Sequence, residues 1–119
     1  MKAPVAVETM ADLDRLLEDS HRRPVVLLKH STRCPVSSMA HEEFLRFASG
    51  LENGRASAAV VRVVESRAVS DEVARRLEVA HRSPQAIVVV AGRAVWHDSH
   101  LSVAEDNLLR ALDEATRAS

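Results

Sequence analysis

The amino-acid sequence predicts one α/β domain over residues 1–119, with a mixed central sheet of about five strands and four helices on both faces. Three observations lead there. Continuous apolar runs at 25–28, 58–64 and 85–90 have the β-branched content of buried strands. The stretches between them repeat apolar residues at steps of three and four, the mark of helices with one inner face. Gly92-Arg93 makes a tight turn just after the strongest of the runs, which predicts a hairpin.

Taken in order, Val5-Ala6-Val7 forms a short first strand. Thr9-Met10-Ala11-Asp12 has the Thr-x-x-acid form of a helix start, and Leu13, Leu16 and Leu17 follow at helical spacing. Arg23-Pro24 ends that helix, and the run at 25–28 is a buried strand. The helix that follows Cys34 carries the stripe Ala40, Phe44, Phe47, Ala48 and Leu51, with Gly50 and Gly54 at its end. After the strand at 58–64, Ser70-Asp71-Glu72 is read as opening a short helix with Val73, Ala74 and Leu77. Ser83-Pro84 leads into the strand at 85–90, whose hairpin partner holds Ala94-Val95-Trp96. Ser102-Val103-Ala104-Glu105 reads as a capping box for a last helix lined by Ala104, Leu108, Leu112 and Ala115. The order β-α-β-α-β-α-β-β-α needs parallel strands with right-handed crossovers in its βαβ units and antiparallel strands in the closing hairpin. That is a thioredoxin-like layout.

Composition sets the outer bounds. A chain of 119 residues, 46% hydrophobic and 28% charged, has the profile of an ordinary globular domain. No apolar run approaches the roughly 20 residues needed to span a bilayer, and Met1-Lys2-Ala3-Pro4 lacks the apolar core of a signal peptide. A net charge of −1 gives no case for non-specific nucleic-acid binding. A single cysteine cannot close an internal disulfide, so the expected setting is the cytoplasm.

That cysteine, Cys34, carries most of the chemistry. It follows a strand and directly precedes Pro35, which opens a helix. The free N–H groups and positive dipole end of a helix ease ionisation of a sulfur placed there, and the thiolate is the nucleophilic form. Between His21 and His41 there is no Asp or Glu, while Arg22, Arg23, Lys29 and Arg33 are basic. Such a surround favours a thiolate and an anionic thiol partner. Ser37 occupies the second position of a Cys-x-x-Cys pair, one turn on, where its hydroxyl can turn toward the sulfur. A serine cannot resolve a mixed disulfide, so release requires an external thiol. Cis X-Pro bonds are uncommon, but the thioredoxin-like layout implies that Ser83-Pro84, before the strongest strand, is cis and lies against Cys34, with the Ser83 backbone offered to a substrate. His97-Asp98-Ser99-His100 is the densest histidine cluster, but its spacing fits no usual structural zinc pattern, so no metal is expected. His30, four residues before Cys34, could pair with the thiolate or simply pack.

At Ser31-Thr32-Arg33-Cys34-Pro35-Val36-Ser37 the sequence resembles the monothiol bacilliredoxin family of the bacillithiol system. Further similar segments are Lys29-His30, Val64-Glu65-Ser66-Arg67-Ala68-Val69-Ser70, His81-Arg82-Ser83-Pro84-Gln85-Ala86-Ile87 and Ala94-Val95-Trp96-His97-Asp98-Ser99-His100. The resemblance implies a thioredoxin fold and removal of bacillithiol from S-bacillithiolated proteins through a mixed disulfide on Cys34. It implies no bound cofactor, with bacillithiol as co-substrate and a second small thiol or a partner reductase completing the cycle. Because bacillithiol carries carboxylates, Lys29, Arg33 and Arg82 are candidate binding residues beside Ser83 and Pro84. The alternative is a non-enzymatic redox sensor or adaptor whose single cysteine is S-thiolated. A one-cysteine peroxidase is disfavoured by the short chain, and an iron–sulfur carrier by Pro35, which removes an N–H where a cluster would sit.

Overall fold

The structure, a computed structural model, describes residues 3–118. Met1, Lys2 and Ser119, which the single-domain reading includes, lie outside the described residues. The elements are β1 (Val5–Ala6), α1 (Met10–Asp19), β2 (Val25–His30), α2 (Pro35–Ser49), β3 (Ser57–Arg62), α3 (Arg67–Leu77), β4 (Gln85–Val90), β5 (Arg93–Ser99), a 3₁₀ turn (His100–Ser102) and α4 (Glu105–Ala118). The five strands form one sheet in the order β1-β3-β2-β4-β5. β1 and β2 both run parallel to β3, whereas β4 runs antiparallel to both β2 and β5. This is the mixed sheet that the element order predicts.

β2 lies at the centre and is buried along its whole length. Its alternate side chains feed two separate cores, because successive residues of a strand point to opposite faces. Val25 and Leu27 pack with Leu13 and Leu16 of α1 and Val69, Val73 and Leu77 of α3. Val26 and Leu28 pack with Ala40, Phe44 and Phe47 of α2 and Leu108, Ala111 and Leu112 of α4. The stripe predicted for α2 is therefore its inner face, except that Leu51 falls beyond the helix end and is only partly buried.

Local signals at the chain turns are mostly those of the sequence. Thr9 caps α1 in a reciprocal box with Asp12. The β4–β5 turn places both Ala91 and Gly92 at positive φ (52° and 78°), the backbone of a two-residue hairpin turn, one residue earlier than the expected Gly92-Arg93, because Arg93 already opens β5. Two more expectations change. α3 starts at Arg67 rather than at Ser70, which is fully buried inside the helix. Ser102 ends the 3₁₀ turn and does not cap α4; the Glu105 N–H donates instead to Glu43 of α2, 2.8 Å away. In both places a tertiary contact outweighs the local motif.

Candidate active site

Cys34 is the N-cap of α2, in extended backbone (φ −116°, ψ 124°) with Pro35 in the first helical turn. Its side chain makes no capping hydrogen bond, and the residue is partly exposed. Its backbone is held on both sides: the Cys34 N–H donates to Ser31 O at 3.3 Å, and Cys34 O accepts from the Ser38 N–H at 3.0 Å. A sulfur so placed is fixed at the helix mouth yet reachable, which is what a nucleophilic thiol requires.

Ser37 stands on the inner face of the same helix and is fully buried. Its hydroxyl oxygen accepts from the Ser31 N–H at 2.8 Å and lies 2.8 Å from His30 Nδ1. These bonds tie α2 to the loop that carries Cys34 and to the end of β2. His30 is buried in turn and stacks on His41 of α2, with ring centroids 4.3 Å apart and planes 17° from parallel. Burial, then the neighbouring His41, holds the His30 pKa below the ordinary histidine value, with Glu65 opposing. Neither Ser37 bond is visible from spacing alone, because each depends on how β2 and α2 pack.

The Ser83-Pro84 bond is cis. Gln85 pairs with Lys29 across the β2–β4 ladder, so the register carried one step further brings Pro84 level with His30, where β2 runs into the Cys34 loop. Pro84 O accepts from the His100 N–H at 3.0 Å, which joins this loop to the end of β5. The Ser83 hydroxyl is buried and has no partner among the described residues. Arg33 and Arg82, next to Cys34 and Ser83 in the chain, are exposed, and Arg33 acts electrostatically on Glu65. Thr32, also exposed, donates to Glu65 at 3.1 Å, a carboxylate next to the loop that the sequence reading did not assign to the site.

Lys29 does not join these residues. Strand alternation turns it to the α3 face, where it is fully buried with Nζ 3.0 Å from His81 Nδ1. Burial pushes its pKa down to about 8, with Asp71 opposing. A side chain so enclosed is not presented to the carboxylates of a small thiol. Among the described residues no group of three or more His, Cys, Asp or Glu side chains is arranged to hold a metal ion, and no helix is long and apolar enough to cross a membrane.

Comparison with known proteins follows the same lines. The model of the family described as monothiol bacilliredoxin BrxC matches residues 5–108. A solved structure described as an oxidoreductase with a thioredoxin fold superposes with a TM-score of 0.80 at 29% identity, covering 91% of this chain and 92% of that one. The thioredoxin of Malassezia sympodialis gives a TM-score of 0.77 at 13% identity, covering 96% of this chain and 91% of its own. A mutant thioredoxin of Halobacterium salinarum gives 0.74 at 19% identity, with 93% of this chain and 88% of that one covered. The last two likenesses establish the fold. The family match and the first of these structures support thiol oxidoreductase chemistry.

Proposed function

Since this chain belongs to the monothiol bacilliredoxin family, we propose that it removes bacillithiol from S-bacillithiolated proteins by thiol–disulfide exchange at Cys34. The observation that carries the reading is the single cysteine, partly exposed at the N-cap of α2, with no second cysteine in the sequence to close on. The Cys34 thiolate attacks the bacillithiol sulfur of the mixed disulfide, and the substrate protein leaves as its own thiolate. Bacillithiol is then carried on Cys34 as a new disulfide. A second low-molecular-weight thiol or a reductase attacks that disulfide and returns Cys34 to the thiolate.

No bound cofactor or metal enters this cycle, and bacillithiol acts as co-substrate. Arg33 and Arg82, both exposed, are the candidates to supply positive charge for its carboxylates. The Ser83 backbone, which forms no hydrogen bond among the described residues, offers an N–H and a C=O to a segment of the substrate protein. We infer a cytoplasmic setting, where reducing conditions keep a lone cysteine available as a thiol.

The test is release of bacillithiol from a model S-bacillithiolated protein, followed by mass spectrometry. Wild-type protein is expected to turn over many times with excess free thiol, and Cys34→Ser to release nothing. Full activity in Cys34→Ser ends the reading. Uptake of one equivalent without further turnover makes the protein a sensor instead of an enzyme. Arg33→Ala and Arg82→Ala are expected to raise KM with little change in kcat, the mark of lost ground-state binding.

A further inference from the structure

The fold brings to the Cys34 loop a charge that the exchange reaction leaves without a task. Between His21 and His41 the chain holds no acid, yet Glu65, in the turn after β3, sets a carboxylate against this segment. The Cys34 N–H closes a four-residue turn on Ser31 O, so Thr32 and Arg33 are its two central residues. Thr32 donates to Glu65 Oε2 at 3.1 Å from one central position, and Arg33 acts on the same carboxylate from the other. Glu65 in turn acts electrostatically on His30, just before the turn. The residues on which Glu65 bears thus run from 30 to 33, directly up to the nucleophile. Glu65 and Arg33 are both exposed, and among the described residues neither makes a close ion pair. Arg62, the other cation acting on Glu65, is held by Glu8 at 3.2 Å. A carboxylate offers about four lone-pair sites, so after the Thr32 bond and one from its own N–H, Glu65 still has acceptor capacity.

We propose that Glu65 is a specificity-determining residue: its carboxylate takes an ammonium group of the small thiol exchanged at Cys34, while Arg33 takes a carboxylate of the same molecule. The inference rests on exchange at Cys34 and deepens it by naming the class of thiol, a zwitterionic aminothiol instead of a purely anionic one. A thiol bearing only carboxylates meets repulsion from Glu65, and one bearing only ammonium groups meets it from Arg33. A thiol bearing both signs finds a partner for each. In the exchange itself the Cys34 thiolate attacks one sulfur of a disulfide, and the S–S bond breaks with its electron pair passing to the departing sulfur. The half retained on Cys34 is the one whose charges Glu65 and Arg33 read.

Glu65 keeps its charge throughout. The bonds from its own N–H and from Thr32, with the charges of Arg62 and Arg33, hold its pKa below the ordinary carboxylate value against partial desolvation. A merely structural tie between the β3–α3 turn and the Cys34 loop would need no charge, because a glutamine carbonyl accepts the Thr32 bond equally well. That distinction makes the proposal testable.

The experiment measures how fast the reduced protein attacks four small disulfides. Cystamine carries ammonium groups, dithiodipropionate carries carboxylates, cystine carries both on each half, and hydroxyethyl disulfide is uncharged. Each rate is divided by that for hydroxyethyl disulfide, which cancels any change in the intrinsic reactivity of Cys34. In Glu65→Gln the relative rate for cystamine is expected to fall about threefold and that for dithiodipropionate to rise about threefold, the scale of an exposed ion pair. Arg33→Ala should shift the same two in the opposite sense, and cystine should lose in both variants. Glu65→Lys, which reverses the charge, should carry each Glu65→Gln shift further in the same direction. All these differences should shrink at about 1 M salt, where the screening length is about 3 Å. Relative rates unchanged in Glu65→Gln, or charged disulfides of either sign slowed alike, overturn the proposal. None of the four disulfides contains bacillithiol, so these ratios judge Glu65 even if Cys34→Ser were to sink the functional reading.

Discussion

Lys29 and His30 are consecutive residues at the end of β2, and both are buried, yet they face opposite halves of the molecule. His30 enters the α2 face, where Ser37, the Ser31 N–H and the His41 ring join it to the loop holding Cys34. Lys29 enters the α3 face, where one nitrogen of His81 receives its ammonium and Asp71 supplies opposing negative charge. Two acceptors on that face, Gln85 Oε1 and Ser70 Oγ, have no partner among the described residues. One ionisable neighbour is thus tied to the loop that carries the nucleophile, and the other is a buried cation with a sparse set of partners. A single residue step on a central strand decides which. Disturbance on the α2 face should reach Cys34, whereas disturbance on the α3 face should change stability alone.

The hardest blow to this contrast is a cavity on each side. Phe44→Ala, beneath α2, should lower the unfolding free energy by about 3–5 kcal/mol and change the rate of Cys34 alkylation. Leu77→Ala, on the α3 face, should cost about 2–5 kcal/mol in urea titrations and leave that rate as it was. Equal effects on alkylation would erase the contrast.

A second test isolates Lys29 by pH. Its folded pKa, about 8, lies below its ordinary value of 10.5. Between these values the unfolded chain binds more protons than the folded one, so stability must rise with pH across that window. The expected gain is on the order of 1–3 kcal/mol. The sequence has no tyrosine and only one other lysine, Lys2; because a thiol ordinarily titrates at about 8.5, the measurement is made in the Cys34→Ser background. Lys29→Met should abolish the rise without loss of stability at pH 7, since a buried charge replaced by an apolar side chain of similar size is often neutral or stabilising. A parent protein with flat stability from pH 8 to 10.5 would show that the cation is not buried as described.

Histidines on both faces predict a smaller effect in acid. Burial lowers the folded pKa values of His30, His41 and His81 below 6.5. The unfolded forms therefore take up protons first, and stability falls as pH drops through that range. Allowing for solvent screening at the more open His41 and His81, the loss from pH 7 to 5 should be roughly 1 kcal/mol. His30→Asn should remove part of it and His81→Gln a separate part, measured by thermal unfolding. The smallest change belongs to Thr32→Val. Its bond to Glu65 is exposed on both sides, so the urea midpoint should not move measurably.

Much of this architecture could be read from the chain, and the misses share one cause. The strands, the α2 stripe, the hairpin and the Thr9 cap follow local periodicity or short-range chemistry, and they stand where expected. Ser70 and Ser102 look like caps locally, but Ser70 is buried inside α3 and Glu43 of α2 takes the N–H at the start of α4. Cys34, Ser37, Ser83 and Pro84 stand out in the sequence as candidates by their motifs. What Ser37 bonds to was not.

The sequence by itself determined the α/β layout, the position of one cysteine at a helix entrance and the lack of a resolving partner, because composition and short-range pattern suffice for these. Only the tertiary structure decided that Lys29 is buried away from Cys34 while His30 is tied to its loop. Only it supplied Glu65 to Thr32 and His81 to Lys29, groups 33 and 52 residues apart along the chain. Which face a side chain enters follows from strand alternation, but what it meets there depends on elements that come together only when the sheet has formed.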